Sequence, residues 1–255
     1  MSNIKQRLRN GESIIGTMIT TFDNPDIVKI LKVCGFDLFM IDCEHGGFDY
    51  SKVAALLGMG RAMDIAGFVR VPEAKREVVL KYMEMGADGL MLPNCETAEQ
   101  AKALLTYSKY YPMGSRGVSL LRGHTGYEKI PSATEYMEKA NNETVIMCQI
   151  ESPTGVDNIG KILDLDGVDA AFIGPNDLSQ SYGLMGQFNH PTVVNAIETV
   201  IAAAKQRGKF SGIHMTGAPA AVRAWMEKGM ALNLWSNDVT MMMNNAREGL
   251  AHLKG

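Results

Sequence analysis

Short apolar runs and longer amphipathic segments alternate along the chain. The runs are rich in Ile, Val, Leu, Met and Phe, and most are apolar at nearly every position, which is typical of parallel strands covered on both faces of their sheet. We predict eight strands from them: SIIGTMI from Ser13, DLFMI from Asp37, AGFVR from Ala66, DGLML from Asp88, TVIMCQI from Thr144, DAAFI from Asp169, FSGIH from Phe210 and ALNLW from Ala231.

A segment with the 3.6-residue apolar period of a helix follows each run, and several of these segments end at glycine, as helices commonly do. Eight strands and eight helices in 255 residues predict an α/β fold of the TIM (β/α)8 barrel type, with residues 1–255 in a single domain. The predicted helices are DIVKILKVCG from Asp26, SKVAALLGMGRAMD from Ser51, KREVVLKYMEMG from Lys75, TAEQAKALLTYSKY from Thr97, GVDNIGKILDLDG from Gly155, PTVVNAIETVIAAAKQRG from Pro191, PAAVRAWMEKG from Pro219 and DVTMMMNNAREGLAHLK from Asp238.

One connection is far longer than the ~2 to 6 residues that are usual in such folds. It covers residues 110–142 and reads YYPMGSRGVSLLRGHTGYEKIPSATEYMEKANN. This excursion either shapes the substrate pocket, forms a subunit contact or is an ordinary surface insertion. Its Arg116, Arg122 and His124 are interpreted as solvated surface residues, with recognition of a distal acceptor group as the alternative.

Composition narrows the classes of function. With 46% hydrophobic residues and a formal net charge of −3, the chain has enough apolar residues for a full core and lacks the basic excess that nucleic-acid binding requires. The four cysteines form no CxxC pair, so neither a zinc knuckle nor a disulfide framework is indicated. Without a signal-peptide pattern or an apolar stretch of ~20 residues, the protein is expected to be cytoplasmic and without membrane contact. Chemistry on a small molecule is the default expectation.

Two carboxylates are predicted to meet at the carboxyl end of the barrel, where the chemistry of this fold takes place. Glu151 ends the fifth strand, and Asp177 follows the sixth, about one βα unit further along the chain. Carboxylate oxygens without nearby Cys suit a hard divalent cation such as Mg²⁺ or Mn²⁺. The alternative for Asp177 is an N-cap of the helix that follows, but a lone buried charge at Glu151 favours a shared cation.

Two further groups are expected at the same end of the barrel. Arg70 ends the buried strand AGFVR, so its guanidinium needs an anion, which is either a structural carboxylate or a carboxylate or enolate of the substrate. His45 stands in IDCEHGG beside Asp42 and Glu44, so it is either a general base oriented by a carboxylate or a residue that braces the loop. The combination of cation, imidazole and arginine favours the base.

These residues lie in motifs that resemble the HpcH/HpaI aldolases, pyruvate aldolases of the 4-hydroxy-2-oxoheptanedioate aldolase type. The resemblance extends over nearly the whole chain, and six motifs in the same order make it specific. The motifs are IDCEHG from Ile41, FVRVPE from Phe68, GADGLMLPNCETAEQA from Gly86, YYPMGSRGV from Tyr110, QIESPTGVDNI from Gln149 and FIGPNDLSQSYG from Phe172.

The resemblance implies a role for each site residue. Glu151 and Asp177 would bind the divalent metal (Mg²⁺ or Mn²⁺, with Co²⁺ as a further candidate), His45 would be the catalytic base and Arg70 would stabilise the transition state. Gln149 would contact the substrate, and the backbone at Asn176 would receive the pyruvate carboxylate. The resemblance also implies a homo-oligomer, a hexamer built as a trimer of dimers, in which the last helix is exchanged between subunits.

Two positions depart from the family pattern. The family often has an acidic residue, commonly Asp, that reaches a histidine of a neighbouring subunit; here Glu84 occupies that place. The segment VSLLRGHTGYEKI differs from the corresponding part of typical heptanedioate aldolases, so the resemblance leaves the aldehyde substrate open.

The expected activity is that of a class II, metal-dependent aldehyde-lyase, which reversibly cleaves 4-hydroxy-2-oxo acids to pyruvate and an aldehyde. An oxaloacetate-type decarboxylase using the same site and a non-catalytic barrel that binds 2-oxo acids are the alternatives. A Schiff-base aldolase is disfavoured, because no predicted strand ends in a lysine.

Overall fold

Eight parallel strands close into a barrel in a computed structural model that describes residues 3–255, so the first two residues of the predicted domain lie outside the described range. Each strand pairs with the next one along the chain, and the last pairs with the first. The eight predicted strands and the TIM-barrel fold are thereby confirmed. The strands are β1 Ile14–Ile19, β2 Leu38–Asp42, β3 Ala66–Arg70, β4 Gly89–Leu92, β5 Val145–Ile150, β6 Ala170–Ile173, β7 Phe210–Met215 and β8 Leu232–Asn237.

Helices surround the barrel. They are α1 Ile4–Arg9, α2 Asp26–Val33, α3 Tyr50–Met63, α4 Arg76–Met85, α5 Ala98–Ser108, α6 Ala133–Glu143, α7 Pro153–Asp157, α8 Ile159–Leu163, α9 Pro175–Ser181, α10 Pro191–Gln206, α11 Pro219–Glu227 and α12 Asp238–Lys254. No helix within residues 3–255 has both the length and the apolar character that a membrane span needs.

Three differences from the predicted helices have local causes. The helix predicted from Gly155 is divided into α7 and α8 at Asn158, whose backbone leaves the helical region and whose amide Nδ2 donates to the carbonyl of Glu96 over 3.0 Å. The N-terminal helix α1 was not predicted; its Asn3 side chain accepts a hydrogen bond from the N–H of Gln6. The second half of the excursion forms α6.

Side chains along each strand point alternately into the barrel and towards the helices, so the core has two parts. Met40 and Phe68 point into the barrel, whereas their neighbours Ile41 and Val69 pack against the helices. Two residues further along each strand, the inward positions become polar: Met40 is followed by Asp42, Phe68 by Arg70, Met147 by Gln149, and Gly212 by His214. A layer of polar side chains therefore covers the apolar interior at the carboxyl end of the barrel.

The excursion packs at the opposite, amino-terminal end. Arg116 donates to the carbonyl of Met83 over 3.1 Å, and His124 Nδ1 lies 3.3 Å from the carbonyl of Glu84, both near the end of α4. Arg116 and His124 are buried, so the interpretation of these two residues as solvated is wrong, whereas Arg122 is exposed. Arg116 and His124 instead fill the space between the excursion and the barrel.

Candidate active site

A cavity of about 240 Å³ opens at the carboxyl end of the barrel. Met18 and Met91 contribute apolar side chains to its lining, and the remaining lining residues are mostly polar. Six of the predicted site residues line this one cavity: Asp42, His45, Arg70, Gln149, Asn176 and Asp177. Because they come from the ends of β2, β3, β5 and β6, the structure brings together positions that are distant in sequence.

A buried arginine is fixed on one wall of the cavity. Arg70 Nε donates to Asp42 Oδ1 over 3.0 Å, and Nη2 donates to Asp42 Oδ2 over 2.8 Å, which is the planar two-point geometry that guanidinium and carboxylate favour. Arg70 Nη1 lies 3.2 Å from Glu44 Oε2. A guanidinium carries five N–H groups, so part of it stays available for a substrate oxygen.

The pKa values on this wall follow from burial and from Arg70. Burial raises the pKa of the Asp42 carboxyl, but the hydrogen bonds and charge of Arg70, with the N–H groups of His45 and Glu44, outweigh it, so the pKa lies below its ordinary range. Burial raises the pKa of Glu44 above its ordinary value, although the charge of Arg70 opposes the rise. Asp42 is therefore the permanent anion that holds Arg70.

Glu151 does not itself line the cavity; its carboxylate lies against Gln149 and Gly174, which do. Its Oε1 accepts from the backbone N–H of Asn94 over 2.7 Å, and its Oε2 accepts from Gln149 Nε2 over 2.6 Å. Asn94 presents that N–H from a left-handed backbone conformation with φ of 46°. A Cβ atom at Gly174 would overlap Glu151 Oε2 and lie 2.6 Å from Gln149 Nε2. The absence of a side chain at Gly174 leaves the room that the carboxylate occupies.

Glu151 has the character of a ligand for a cation. Burial, with smaller contributions from the negative charges of Asp177 and Glu44, raises its pKa to about 7 against the hydrogen bonds from Asn94 and Gln149. No basic side chain within residues 3–255 forms an ion pair with it. A buried carboxylate with spare lone pairs, a second carboxylate nearby and no ion pair among residues 3–255 fits a hard divalent cation.

The number of protein ligands at this place is small. Throughout the described part of the chain, no three His, Cys, Asp or Glu side chains are grouped as they are in metal sites built from protein ligands alone. A site with two carboxylates, whose other positions are filled by water and substrate, is the arrangement that Mg²⁺ commonly adopts. The donor set therefore fits a weakly chelated ion.

Asp177 belongs to the cavity and not to a helix cap. Helix α9 begins at Pro175 after the N-cap Gly174, which makes no side-chain cap hydrogen bond, and Asp177 lies in the first turn. The alternative that Asp177 is the N-cap is therefore wrong. Asn176 and Asp177 are both exposed where they line the cavity.

His45 lies at the rim of the cavity. Its side chain is 68% exposed, and its Nε2 lies 3.7 Å from Glu44 Oε2. Asp42 contacts His45 only at its backbone, where Asp42 Oδ1 accepts a hydrogen bond from the N–H of His45 over 3.3 Å. Glu44 is thus the carboxylate next to the imidazole, while Asp42 serves Arg70.

Glu84 does not reach this cavity. It lies on α4, its carboxylate is 4.0 Å from Arg122 Nε, and it lines a separate surface depression with Arg61 and Lys81. The predicted contact with a histidine of a neighbouring subunit concerns a second copy of the chain and stays a prediction.

Sequence reasoning missed the roles of Asn94 and Gly174 and left open whether Asp42 or Glu44 lies beside the imidazole of His45. Each stands within three residues of a predicted site residue or strand end, so proximity in sequence was the available signal. The roles themselves depend on contacts between separate loops, such as the hydrogen bond from Asn94 to Glu151. A second cavity, of about 250 Å³, lies at the amino-terminal end of the barrel, and none of the predicted site residues lines it.

The chain resembles characterised enzymes over most of its length. The family model of the HpcH/HpaI aldolase/citrate lyase family matches residues 18–244. A 5-keto-4-deoxy-D-glucarate aldolase of Klebsiella pneumoniae is 35% identical over 81% of this chain and 79% of its own length. A hydroxypyruvate/pyruvate aldolase of Roseobacter denitrificans is 31% identical over 100% of this chain and 98% of its own. The crystal structure of an HpcH/HpaI aldolase from Desulfitobacterium hafniense is 34% identical, with a TM-score of 0.95 over 98% of this chain and 96% of that one.

Proposed function

The chain belongs to the HpcH/HpaI aldolase/citrate lyase family and is an enzyme of the lyase class, and on this premise we propose that it is a divalent-metal-dependent aldolase. It would cleave 4-hydroxy-2-oxo acids reversibly to pyruvate and an aldehyde. The observation that carries the proposal is the buried carboxylate of Glu151, held by Asn94 and Gln149 at the same end of the barrel as Asp177 and the Arg70–Asp42 pair.

Glu151 and Asp177 would hold the ion, with Mg²⁺ and Mn²⁺ as the first candidates and Co²⁺ as the third. When bound, a divalent ion supplies a Lewis acid that polarises the 2-oxo group of the substrate. Gln149 orients Glu151 through its 2.6 Å hydrogen bond, and the chain at Asn176 contributes to the binding of the substrate carboxylate.

Arg70 stabilises the negative charge that develops when the bond between C3 and C4 breaks. Its position is fixed in advance by the two hydrogen bonds to Asp42, so its charge needs no reorganisation during the reaction. Since Asp42 is buried with it, the pair is held in one orientation towards the cavity.

His45 is the general base for the 4-hydroxyl group. Its exposed ring at the rim can move towards a substrate, and Glu44 beside it would stabilise the protonated imidazole. Cleavage is complete when C3 of the enolate takes up a proton, which yields pyruvate. In the reverse direction C3 of pyruvate loses a proton, and His45 returns a proton to the new hydroxyl oxygen.

The aldolase proposal is favoured over its alternatives. The aldolase relatives favour an enzyme over a non-catalytic barrel. A Schiff-base mechanism has no support, because no lysine is found among the described residues that line the cavity. Lys109, the fully buried lysine, hydrogen-bonds the carbonyl of Thr144 at the amino-terminal end. Decarboxylation of oxaloacetate-type acids would use the same groups and is a side activity to be assayed.

The test combines catalysis with metal binding. With Mn²⁺ present, the wild-type protein should release aldehyde from 4-hydroxy-2-oxo acids, measured with a coupled dehydrogenase. Glu151→Gln and Arg70→Ala should each lose about 100-fold or more in kcat/KM. Only Glu151→Gln should weaken Mn²⁺ binding measured by calorimetry.

The exposed Glu138 of α6 offers a matched control, because Glu138→Gln makes the same chemical change far from the cavity. That variant should keep wild-type activity and Mn²⁺ affinity. Wild-type activity in Glu151→Gln, or a rate that stays unchanged after divalent ions are removed with a chelator, would refute the proposal.

A further inference from the structure

We propose that His214 makes the active site selective for 2-oxo acids that carry a hydroxyl group on C3, by accepting a hydrogen bond from that hydroxyl through Nδ1. This inference rests on the proposed aldolase function and narrows its donor from pyruvate to 2-oxo acids with a hydroxyl group on C3, of which hydroxypyruvate is the smallest. Sequence inspection places His214 at a strand end, but neither the metal site nor the base uses it.

His214 stands inside the barrel. It follows the inward-facing Gly212 by two residues on β7 and pairs in register with Leu234 of β8. Its side chain lines the same cavity as Arg70, Gln149 and Asp177. A substrate that contacts Arg70 and Gln149 in this cavity therefore lies within the walls that include this imidazole.

One hydrogen bond fixes the tautomer of the ring. His214 Nε2 lies 3.0 Å from the backbone carbonyl oxygen of Ser236. Since a carbonyl oxygen only accepts hydrogen bonds, Nε2 carries the proton. Burial, supported by the charge of Arg70, lowers the pKa of His214 below its ordinary value, so the ring is neutral. Nδ1 consequently bears a lone pair and acts as an acceptor.

Nδ1 is left without a protein partner. Within residues 3–255, the ring makes one hydrogen bond, through Nε2. Nδ1 makes none, and it is not fully enclosed by protein atoms. Nearby donors are already engaged: Thr20 Oγ1 donates to Asp238 over 2.7 Å, and the Arg70 Nε donates to Asp42. The cavity thus presents an acceptor that needs a donor from the ligand.

The C3 substituent of the substrate is the group that fits this need. C3 is bonded directly to the 2-oxo carbon, so in a cavity of about 240 Å³ its substituent stays close to the walls. A hydroxyl donates a hydrogen bond to Nδ1, whereas the methyl group of pyruvate has no proton to donate. Sites that hydrogen-bond a substrate hydroxyl discriminate strongly against analogues that lack it.

A purely structural role makes a different prediction. Ser236 has a left-handed backbone with φ of 60°, and its carbonyl also accepts from Thr17 Oγ1 over 3.3 Å. If His214 only braced Ser236, its loss would affect all substrates equally. Selectivity between two donors separates the roles.

The experiment compares hydroxypyruvate with pyruvate as donors, using propanal as the common acceptor and Mn²⁺-loaded protein. In the wild type, the ratio of kcat/KM for hydroxypyruvate to that for pyruvate should exceed 1. His214→Leu should reduce this ratio by at least about 10-fold, because leucine cannot accept a hydrogen bond. His214→Gln, which can donate to Ser236 and accept from a hydroxyl, should keep the ratio within about 3-fold.

Calorimetric affinities of the same two donors supply a readout that does not depend on turnover, and they should change in the same direction. Near-ultraviolet circular dichroism checks that His214→Leu is folded, and His214→Gln covers the case in which it is not. An unchanged ratio in His214→Leu, or equal losses for both donors, would overturn the inference alone. A wild type inactive with both donors would overturn the proposed function and this inference with it.

Discussion

Among single residues, Gly174 decides whether Glu151 fits its place. The backbone of Gly174 has φ of −98°, which any residue adopts, so the requirement for glycine does not come from the backbone. It comes from the close approach of Glu151 Oε2 and Gln149 Nε2, which occupy the place of a Cβ atom. The hydrogen bond between these two side chains depends on that space.

We therefore predict that Gly174→Ala displaces the Glu151 carboxylate. The added methyl group should lower the free energy of unfolding by about 1 to 3 kcal/mol, as overpacking of buried sites does. It should also weaken Mn²⁺ binding about 10-fold or more, since a residue that positions a ligand affects affinity on this scale. Urea denaturation and calorimetric titration with Mn²⁺ measure the two effects.

Gly47 supplies the control for this prediction. It follows β2 near the same cavity, and a Cβ atom there would meet nothing within 4 Å. Gly47→Ala should leave both measurements unchanged. Equal Mn²⁺ affinities for Gly174→Ala and the wild type would show that the carboxylate does not need this space.

The positions of the site residues were predictable, whereas their pairing was not. Arg70, Gln149 and Glu151 stand at the ends of apolar runs. Because side chains alternate along a strand with a period of two, their place at the carboxyl end of the barrel follows from the sequence. Which carboxylate lies beside the His45 imidazole, Asp42 or Glu44, depends on which of them Arg70 holds. The distances from Arg70 to these carboxylates are set by the packing of β2 against β3.

Among the elements, the strands were predictable because they are buried on both sides and therefore apolar throughout. Helix α6 was not, because its one fully buried residue is Asn141 and the segment ATEYMEKANNE carries few apolar residues. Asn141 accepts from the N–H of Tyr110 over 2.7 Å and donates to its carbonyl over 2.9 Å. A polar contact of this kind leaves no pattern in the sequence.

The same contact region contains Lys109, a lysine with no exposed surface that follows α5. Its Nζ donates to the carbonyls of Asn141 and Thr144, each over 2.7 Å. Burial lowers the pKa of Lys109 to about 7, and the nearby charges of Lys5 and Arg116 support this shift against the charge of Asp169. The link between α5 and α6 is therefore sensitive to pH.

We expect Lys109 to make stability rise with pH above about 7. Between pH 7 and the ordinary lysine pKa of 10.5, the unfolded chain binds the proton that the folded chain has released. The contribution is therefore complete above pH 10.5 and is lost as the pH falls through 7. The free energy of unfolding of the wild type relative to Lys109→Met should increase by on the order of 1 kcal/mol per pH unit in this interval.

Urea denaturation of both proteins at pH 7, 8 and 9 measures this slope. Lys102→Met replaces an exposed lysine on the same helix α5 and should give a difference that does not vary with pH. A constant difference between the wild type and Lys109→Met would mean that Lys109 is charged in the folded protein at all three pH values.

At the scale of the whole molecule, the last helix, α12, buries little of its surface against the rest of its own chain. Helix α12 has 17 residues, and its one fully buried residue is Asp238, whose carboxylate accepts hydrogen bonds from the backbone N–H groups of Thr20, Thr21 and Phe22. Met242, Leu250 and Leu253 are all more than half exposed. They lie within one side of the helix, given 100° per residue, and form an apolar stripe that no part of residues 3–255 covers.

This stripe supports the exchange of α12 between subunits that the family resemblance implies. A 17-residue helix is marginal in water unless its apolar face is packed, so burial by a second copy would stabilise it. Leu250→Lys combined with Leu253→Lys should therefore lower the molar mass measured by light scattering after size exclusion. Asn244→Lys with His252→Lys adds the same charge on the opposite side of α12 and should keep the wild-type mass. If both double variants keep that mass, the oligomer assembles through another surface, and α12 is not exchanged.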